Sequence, residues 1–270
     1  MLSKRRDARR LVDQVGVWFH SIDVGHGVTT PGLKSAETLA AELETMDLPE
    51  DLTGRFVLDI GGWDGYFAFE AERRGAAPVA VLDHYTWSLD LVGQQAYWRE
   101  CLEAGVHPEP YHETEYWHPD TLPGKHGFDT ARSLRDSRVE AIAVDFLACD
   151  LAAVGSWDVV LYLGVLYHME DPLRALRRLA AVTRELAIVE TEAVVVPGHE
   201  NAALWRFFPG AELNGDVSNW WAPNLTGLSG ALTAAGFERV EVKAGPPAEL
   251  LDAGGGPHRY RAVVHAFKPS

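Results

Sequence analysis

Residues 57–65 read Val57-Leu58-Asp59-Ile60-Gly61-Gly62-Trp63-Asp64-Gly65, and residues 66–74 after them are typical of a helix that ends at Gly75. An apolar run that enters a glycine turn and then a helix predicts a strand–turn–helix unit, because glycine permits tight turns and lets the backbone approach a ligand closely. The first amides of that helix can face polar groups of the ligand. Trp63 stands where a further glycine is usual, which weakens this signal.

The rest of the chain alternates strand-like and helical segments. Helical patterns lie at residues 66–74, 172–183 and 228–235, and β-rich runs at residues 55–60, 78–83, 139–146, 158–163, 185–190, 239–243 and 261–267. This alternation predicts an α/β fold that is Rossmann-like and doubly wound, with a seven-stranded, mostly parallel sheet.

The predicted domain organisation is one sheet domain with additions. Residues 51–270 would form the domain, and residues 1–50 would form an N-terminal cap. Two segments, residues 84–127 and 192–224, do not follow the alternation. We expect both to be lid insertions, because long segments inserted after strand ends are commonly lids or binding loops.

Two acidic residues at strand ends indicate a nucleoside ligand. Asp83 ends the second strand, 22 residues after Gly61, where a carboxylate can accept hydrogen bonds from both ribose hydroxyls. Asp145 and Phe146 end the third β-rich run, where they could bond an adenine amine and stack on its ring. The alternatives are a solvated strand-end aspartate in each case and a core position for Phe146.

The charge balance limits the possible partners. The 270 residues carry 24 Lys and Arg against 39 Asp and Glu, a net charge of −15. Five of the basic residues and one acid lie in the first ten positions, which we interpret as an exposed helix face, and the remaining residues carry −19. A broad nucleic-acid surface is therefore disfavoured, although a local one stays open, because such surfaces depend on Lys and Arg contacts to phosphate.

Cysteine usage and hydropathy favour the cytoplasm. Cys101 and Cys149 are 48 residues apart without a C-x-x-C pair, which excludes a disulfide scaffold and a cysteine zinc cluster. No signal peptide is predicted, and the longest apolar run, residues 159–167, is far shorter than the roughly 20 residues of a membrane span. Residues 107–118 contain three His and three Glu, but without a known ligand spacing we expect a solvated lid segment and no metal.

Several longer motifs carry a family resemblance. They are Gly62-Trp63-Asp64-Gly65, FHSIDVGHGVTTPG at residues 19–32, GVLYHMEDP at 164–172, WRFFPGAELNGDVSNWWAPN at 205–224 and RAVVHAFKP at 261–269. From about residue 52 to 269 the chain resembles the class I S-adenosylmethionine (SAM) methyltransferases. It is most similar to the family of the tRNA wobble-uridine carboxymethyltransferase and its relatives.

The resemblance implies SAM as the cofactor and a set of residues that bind it. These are Lys34, Asp59, Gly61, Gly62, Trp63, Gly65, Asp83, His84, Asp145, Phe146, Leu163, Tyr167 and Arg261. Tyr167 and Arg261 match two of three groups that hold the extra carboxylate of carboxy-SAM in the tRNA enzyme. The third group, a lysine, has no counterpart here, because residues 15–18 read Val-Gly-Val-Trp.

Candidate catalytic residues are His168, Tyr167 and His20. Either imidazole could accept the proton of a nucleophilic hydroxyl, since histidine titrates near neutrality. The alternatives are a structural His168 that ties its loop to Asp171 and a surface or capping His20. The predicted substrate-binding residues are Trp205, Phe207, Trp220, Trp221 and Asn224, because mixed aromatic and amide walls suit polar ring systems.

Together these features predict methyl transfer from SAM to a hydroxyl, or a similar nucleophile, of a small molecule such as a sugar or a natural-product scaffold. The partner would be that acceptor, with nucleic acid disfavoured and no membrane involved; the oligomeric state stays open. Carboxymethyl or methyl transfer to tRNA remains an alternative. So do a nicotinamide dehydrogenase, which also has a glycine turn and a ribose acid, and a non-catalytic SAM-binding module.

Overall fold

The computed structural model describes residues 2–269, which form a mixed α/β fold with a seven-stranded sheet. Its strands are β1 (Val57–Ile60), β2 (Val79–Leu82), β3 (Glu140–Ile142), β4 (Trp157–Leu163), β5 (Thr183–Val195), β8 (Arg239–Ala244) and β9 (His258–Phe267), in the order β3-β2-β1-β4-β5-β9-β8. The pairs β2–β3, β1–β4 and β4–β5 are parallel, and β9 is antiparallel to both β5 and β8. The predicted seven-stranded, mostly parallel sheet is confirmed.

Two short strands, β6 (Trp205–Phe207) and β7 (Trp221–Pro223), form a separate antiparallel pair. The helices are α1 (Leu2–Asp13), α2 (Ala36–Met46), α3 (Tyr66–Arg73), α4 (Tyr85–Ser88), α5 (Leu91–Ala104), α6 (His126–Leu134), α7 (Leu151–Val154), α8 (Pro172–Val182), α9 (Leu225–Ala235) and α10 (Ala248–Leu251). Within residues 2–269, none of them is both long and apolar enough to cross a membrane.

The strand lengths differ from the predicted ones at two places. β3 ends at Ile142 rather than at Phe146, because it lies at the edge of the sheet and has β2 as its single neighbour. β5 is longer than predicted, because Leu186–Val195 pairs with His258–Phe267 over ten positions and the ladder continues past the apolar run. This extension places Glu190 and Glu192 inside a strand.

The chain divides into two compact units. The first unit comprises Met1–Leu43, Glu50–Gly54 and Gly61–Asp145, and the second comprises Glu44–Pro49, Arg55–Ile60 and Phe146–Ser270. The predicted boundary after residue 50 and the two predicted lids stay predictions. The candidate site residues are described below within each unit.

Candidate active site

The glycine loop of the first unit adopts the turn that its sequence predicts. Gly61 and Gly65 have φ angles of +74° and +89°, and Gly65 precedes α3. Two features of Gly65 disfavour a side chain there. Its backbone is left-handed, and a Cβ atom would lie 2.8 Å from the Phe128 ring. The loop therefore leads directly into the amino-terminal end of α3.

Trp63 takes the left-handed conformation of the glycine it replaces, with a φ of +50°. Three contacts offset the strain of this conformation. Its N–H donates to Asp83 Oδ2 at 3.1 Å, its carbonyl accepts from Trp87 Nε1 at 2.7 Å, and its ring stacks on Phe19 with 4.4 Å between centroids. The missing glycine therefore does not prevent the turn.

Asp83 is a buried carboxylate, 4% exposed, at the end of β2. Besides the Trp63 N–H, it accepts from the N–H of Thr86 at 3.0 Å and from its hydroxyl at 2.5 Å. Burial raises the pKa of this carboxyl, and the hydrogen bonds oppose that shift. The next residue, His84, packs edge-on against Trp117.

The N-terminal motif is attached to the glycine loop through Asp64. Asp64 Oδ2 accepts from the N–H groups of Phe19 and His20 at 2.9 and 3.0 Å, and Oδ1 bonds Nδ1 of His20. Lys34 pairs in parallel with His20 through the backbone, and its Nζ donates to both oxygens of Glu42. His20, Lys34 and the loop thus belong to one hydrogen-bonded arrangement within the first unit.

Tyr167 and His168 lie in the second unit, on one turn of 3₁₀ helix (Leu166–His168) after β4. The turn is held by the Trp220 N–H, which donates to the Tyr167 carbonyl at 2.7 Å. Asp171 caps α8 through the N–H of Arg174 and does not bond His168. The alternative in which His168 ties its loop to Asp171 is therefore wrong.

His168 bonds residue 218 instead. Its Nδ1 lies 3.2 Å from the Ser218 carbonyl oxygen and 3.0 Å from Oγ, and that hydroxyl donates to Asp216 at 2.7 Å. A carbonyl oxygen can only accept, so Nδ1 carries the proton and Nε2 holds the lone pair. Burial lowers the pKa of His168, with Asp216 opposing the shift, which keeps the imidazole neutral at physiological pH.

Arg261 is surrounded by acceptors. Its Nε and Nη2 donate to the two oxygens of Glu190, its Nη1 donates to Glu192 at 3.0 Å, and its guanidinium lies 5.1 Å from the centre of the Tyr167 ring. Asn214 donates to the same oxygen of Glu192 at 2.8 Å. The side chains of Glu190 and Glu192 are 11% and 9% exposed, against 40% for Arg261.

The predicted aromatic wall has two parts. Trp205 and Trp221 line an apolar cavity of about 400 Å³, whose floor consists of glycine and alanine residues of α9. Trp220 is stacked with Phe207, which is 49% exposed. Trp221 Nε1 also donates to the Glu170 carbonyl at 3.3 Å, next to the turn that bears His168.

Asn224 has a structural role that the substrate-binding prediction overlooked. Its Oδ1 accepts from the N–H groups of Gly227 and Leu204, and its Nδ2 donates to the Ala202 carbonyl. The residue is 4% exposed and caps α9. Its amide therefore serves the backbone at the start of α9, and its assignment as a substrate-binding residue stays a prediction.

The remaining cofactor candidates lie at the ends of strands. Asp59 is buried within β1, and Leu163 is the last residue of β4. Asp145, which is exposed, follows β3 in the first unit. Phe146, in the second unit, is 8% exposed beneath the Arg178 guanidinium. Their roles toward SAM stay predictions.

Four important residues were not singled out from the sequence: Asp64, Ser218, Glu190 and Glu192. Asp64 bonds residues 44 and 45 positions earlier, a distance that no local pattern indicates. Glu190 and Glu192 had a usable signal, because residues two apart in a strand face the same side, and charges in an apolar strand require partners.

Within residues 2–269, no group of three or more His, Cys, Asp or Glu side chains could hold a metal ion.

Comparison with known proteins identifies the family. Residues 34–242 match the family described as methyltransferase domain, and the chain belongs to this family. It is a SAM-dependent methyltransferase, and SAM is its cofactor. The nicotinamide dehydrogenase and the non-catalytic binding module are therefore wrong alternatives.

Among curated relatives, the tRNA U34 carboxymethyltransferase of Chromohalobacter salexigens is 27% identical over 209 residues, covering 74% of this chain and 50% of the relative. The enzyme of the same name from Idiomarina loihiensis is 24% identical over 193 residues, covering 72% and 48%. The chain thus spans about half the length of the curated relatives it matches.

Similar solved structures share the fold. The N-terminal domain of EvdMO1, crystallised in the presence of S-adenosylhomocysteine (SAH) and D-fucose, has a TM-score of 0.60 at 16% identity, covering 98% of this chain and 97% of that one. Phosphoethanolamine N-methyltransferase 2 of Haemonchus contortus has a TM-score of 0.52 at 14% identity, covering 87% and 53%.

Proposed function

We propose that the protein transfers the methyl group of SAM to a hydroxyl of a small polar molecule, such as a sugar or a natural-product scaffold. The observation that carries the proposal is the composition of the second unit's site. Glu190 and Glu192 meet Arg261 beside the Tyr167 ring, and that ring lies 4.4 Å from the His168 ring. Carboxylates accept hydrogen bonds from hydroxyl groups, and aromatic rings pack on the apolar parts of an acceptor.

The same composition disfavours a polyphosphate. Two buried carboxylates around one guanidinium leave a net negative charge, and the chain outside its first ten residues carries −19. A phosphate backbone needs exposed Lys and Arg, and would be repelled here. A neutral acceptor meets no such penalty.

The similar structure of EvdMO1 supports a sugar acceptor, because that protein was crystallised with D-fucose as well as SAH. Its likeness to this chain extends over 98% of the residues. We assign a deoxyhexose, or a scaffold that bears one, as the first acceptor class to test.

The residues of the first unit fit the proposed cofactor. Asp83 is a buried carboxylate next to the loop, since it accepts from the Trp63 N–H, and the loop opens at the amino-terminal end of α3. We assign Asp83 as the acceptor of hydrogen bonds from the ribose hydroxyls of SAM. We assign the backbone of Gly61–Gly65 to contacts with the remaining nucleoside part of the cofactor. SAM itself supplies a methyl group that the sulfonium already activates.

Carboxymethyl transfer to tRNA is the second candidate, favoured by the names of the curated relatives. Arg261 is the residue that would hold an added carboxylate, and Glu190 and Glu192 already bond it. The lysine expected near residues 15–18 is absent. We therefore rank this reaction below methyl transfer to a small molecule.

The experiment is SAH release by the full chain with SAM and a panel of hydroxylated acceptors, including D-fucose, its glycosides and bulk tRNA. We expect SAH and an O-methylated product with at least one sugar-bearing acceptor. Asp83→Ala serves as a control with impaired cofactor binding. Release of SAH with tRNA alone would contradict the proposal.

We also propose that this reaction takes place in the cytoplasm. Within residues 2–269 both cysteines, Cys101 and Cys149, are free thiols, as is usual in reducing compartments. Fractionation of the producing cell, with activity followed in each fraction, tests this location.

A further inference from the structure

Asp64 and His20 form a carboxylate–imidazole pair inside the first unit. Asp64 is 1% exposed, and its Oδ1 bonds Nδ1 of His20. The other oxygen accepts the backbone N–H groups of Phe19 and His20 at 2.9 and 3.0 Å. A carboxylate only accepts, so Nδ1 of His20 carries a proton and Nε2 is left with the lone pair. Of the two histidine candidates, His20 is thus the one that a carboxylate holds directly.

His168 is less suited to accept a proton. Its Nδ1 bonds the uncharged Ser218, whose hydroxyl donates to Asp216, so no carboxylate bonds this imidazole directly. Burial lowers its pKa, and the charge of Asp216 and the bond to Ser218 oppose this shift without reversing it. An imidazolium at His168 would therefore be poorly stabilised, whereas one at His20 would face the Asp64 carboxylate directly.

The position of the pair also favours a role in the reaction. Asp64 lies between Trp63 and Gly65, in the loop whose backbone we assign to the cofactor, and Phe19 stacks on the Trp63 ring. At Gly32 a Cβ atom would lie 2.1 Å from the His20 carbonyl carbon, so the motif crosses itself too closely for a side chain there. These contacts hold the His20 backbone beside the cofactor loop.

The surroundings of His20 strengthen the pair. Its side chain is 6% exposed, and the rings of Tyr66 and Phe67 each lie 5.7 Å from its imidazole. In such weakly polar surroundings a hydrogen bond to a carboxylate is electrostatically stronger than in water. Aromatic packing also fixes the orientation of the imidazole plane.

We propose that His20 is the base of methyl transfer and that Asp64 is its positioning residue. This inference rests on the proposed function. The acceptor oxygen bonds to the methyl carbon as the carbon–sulfur bond breaks, and the electron pair of that bond stays on sulfur. The hydroxyl proton moves to Nε2 of His20, the resulting imidazolium faces Asp64, and the proton is then released to water.

The test compares His20→Gln and Asp64→Asn with the unchanged chain. A general base contributes about 100- to 10,000-fold to a rate, so we expect kcat to fall by at least about 100-fold in His20→Gln. SAH affinity should stay within about threefold, equivalent to roughly 0.6 kcal/mol, and the KM for the acceptor should change little. Asp23→Asn is the matched control, because Asp23 is an exposed acid of the same motif; its kcat should not change.

Two further measurements distinguish a catalytic role of His20 from a purely structural one. Added imidazole should restore part of the activity of His20→Ala, which a purely structural histidine would not permit. In the SAH complex, proton NMR should show a strongly downfield Nδ1–H resonance that is absent from Asp64→Asn. This spectrum does not depend on knowing the acceptor.

The outcomes are distinguishable. If the unchanged chain methylates a hydroxyl but His20→Gln keeps its kcat within about twofold, the inference is overturned and the proposed function stands. If no hydroxyl acceptor yields SAH, the proposed function fails, and the NMR spectrum still decides whether the Asp64–His20 pair exists. If Asp64→Asn no longer binds SAH, the decision rests on His20→Gln, which leaves the Asp64 backbone bonds in place.

Discussion

Glu190 binds Arg261 through both of its carboxylate oxygens, one accepting from Nε and the other from Nη2. Glu192 accepts from the remaining terminal nitrogen at 3.0 Å. Two carboxylates around one guanidinium carry a net negative charge, and both acids are largely buried. A third carboxylate brought to Arg261 would add a negative charge to a cluster that is already net negative.

We therefore expect SAM to bind at least as tightly as carboxy-SAM, because the extra carboxylate would be desolvated without a free cation to compensate it. Calorimetry with both cofactors measures this directly. Glu192→Gln removes one negative charge and should shift the ratio of affinities toward carboxy-SAM, whereas Glu238→Gln, an exposed control, should not. A clear preference of the unchanged chain for carboxy-SAM would contradict the prediction and favour the tRNA reaction.

Asp83→Ala should weaken SAM binding. The change removes the charged acceptor that we assign to the ribose hydroxyls, and a hydrogen bond to a charged group is worth about 1.5–3 kcal/mol, so affinity should fall by roughly ten- to a hundredfold. Asp83 also holds Trp63 and Thr86, so thermal unfolding is measured in parallel. Unchanged SAM affinity in a folded variant would remove the ribose assignment.

The fold was largely predictable because its signals are local. The glycine turn at Gly61–Gly65, the strands on either side of it and the capping glycine at Gly236 all act over a few residues. The end of β3 was not predictable, because it depends on where pairing stops at the edge of the sheet and not on the apolar pattern. The length of β5 likewise depends on its partner β9.

The candidate site was predictable only where the motif itself is local. Tyr167 and His168 follow β4 directly, as their sequence position implies. The partners of His20 and Arg261 lie 44 and about 70 residues away in the chain, and such pairings arise from the tertiary fold. Asn224 lies among aromatic residues in the sequence, and its role as the cap of α9 was not apparent from that position.

Acidification should destabilise the fold through His265. His265 is 4% exposed and donates from Nε2 to the Met46 carbonyl at 2.8 Å, and burial lowers its pKa below the ordinary value of 6.5. The unfolded chain then binds more protons than the folded one, so stability falls as the pH drops through about 6.5. His265→Gln should show a smaller loss of melting temperature between pH 7 and 5; an equal loss in both proteins would exclude His265 as a cause.

Trp221 should be needed for the acceptor and not for the cofactor. Trp221→Ala removes one wall of the apolar cavity, and we expect kcat/KM for the acceptor to fall by at least about tenfold, or 1.4 kcal/mol, with SAM affinity unchanged. Phe56→Ala is the aromatic control, because Phe56 is 37% exposed and does not line this cavity.

A second variant tests the same cavity without removing a side chain. Gly230 lies in α9 on the cavity wall, and a Cβ atom there would meet nothing within 4 Å. Gly230→Leu therefore introduces a side chain at the cavity from a Cβ position that is free of contacts, and it improves helix propensity. Loss of acceptor turnover in this variant, with equal or higher thermal stability, would assign the cavity to the acceptor. Normal turnover in both variants would place acceptor binding elsewhere.

Bulk tRNA should bind weakly, although α1 offers a local cluster of positive charge. The five basic residues of this helix are all exposed, namely Lys4, Arg5, Arg6, Arg9 and Arg10. They stand in a chain that otherwise carries −19, and they could bind phosphate independently of the site. We nevertheless expect weak binding at both low and moderate salt. The rest of the chain is net negative and repels the phosphate backbone, and five positive charges do not outweigh that repulsion.

The sharpest test replaces these five residues with glutamine and does not delete the helix, because Ala8 and Val12 of α1 are buried, at 1% and 0% exposure. If these side chains bind phosphate, each replacement should reduce the salt slope by about 0.7–0.9. Tight tRNA binding with a steep salt dependence, abolished in the glutamine variant, would defeat the small-molecule proposal. Equal, weak binding by both proteins, with acceptor turnover unchanged in the variant, is the result we expect.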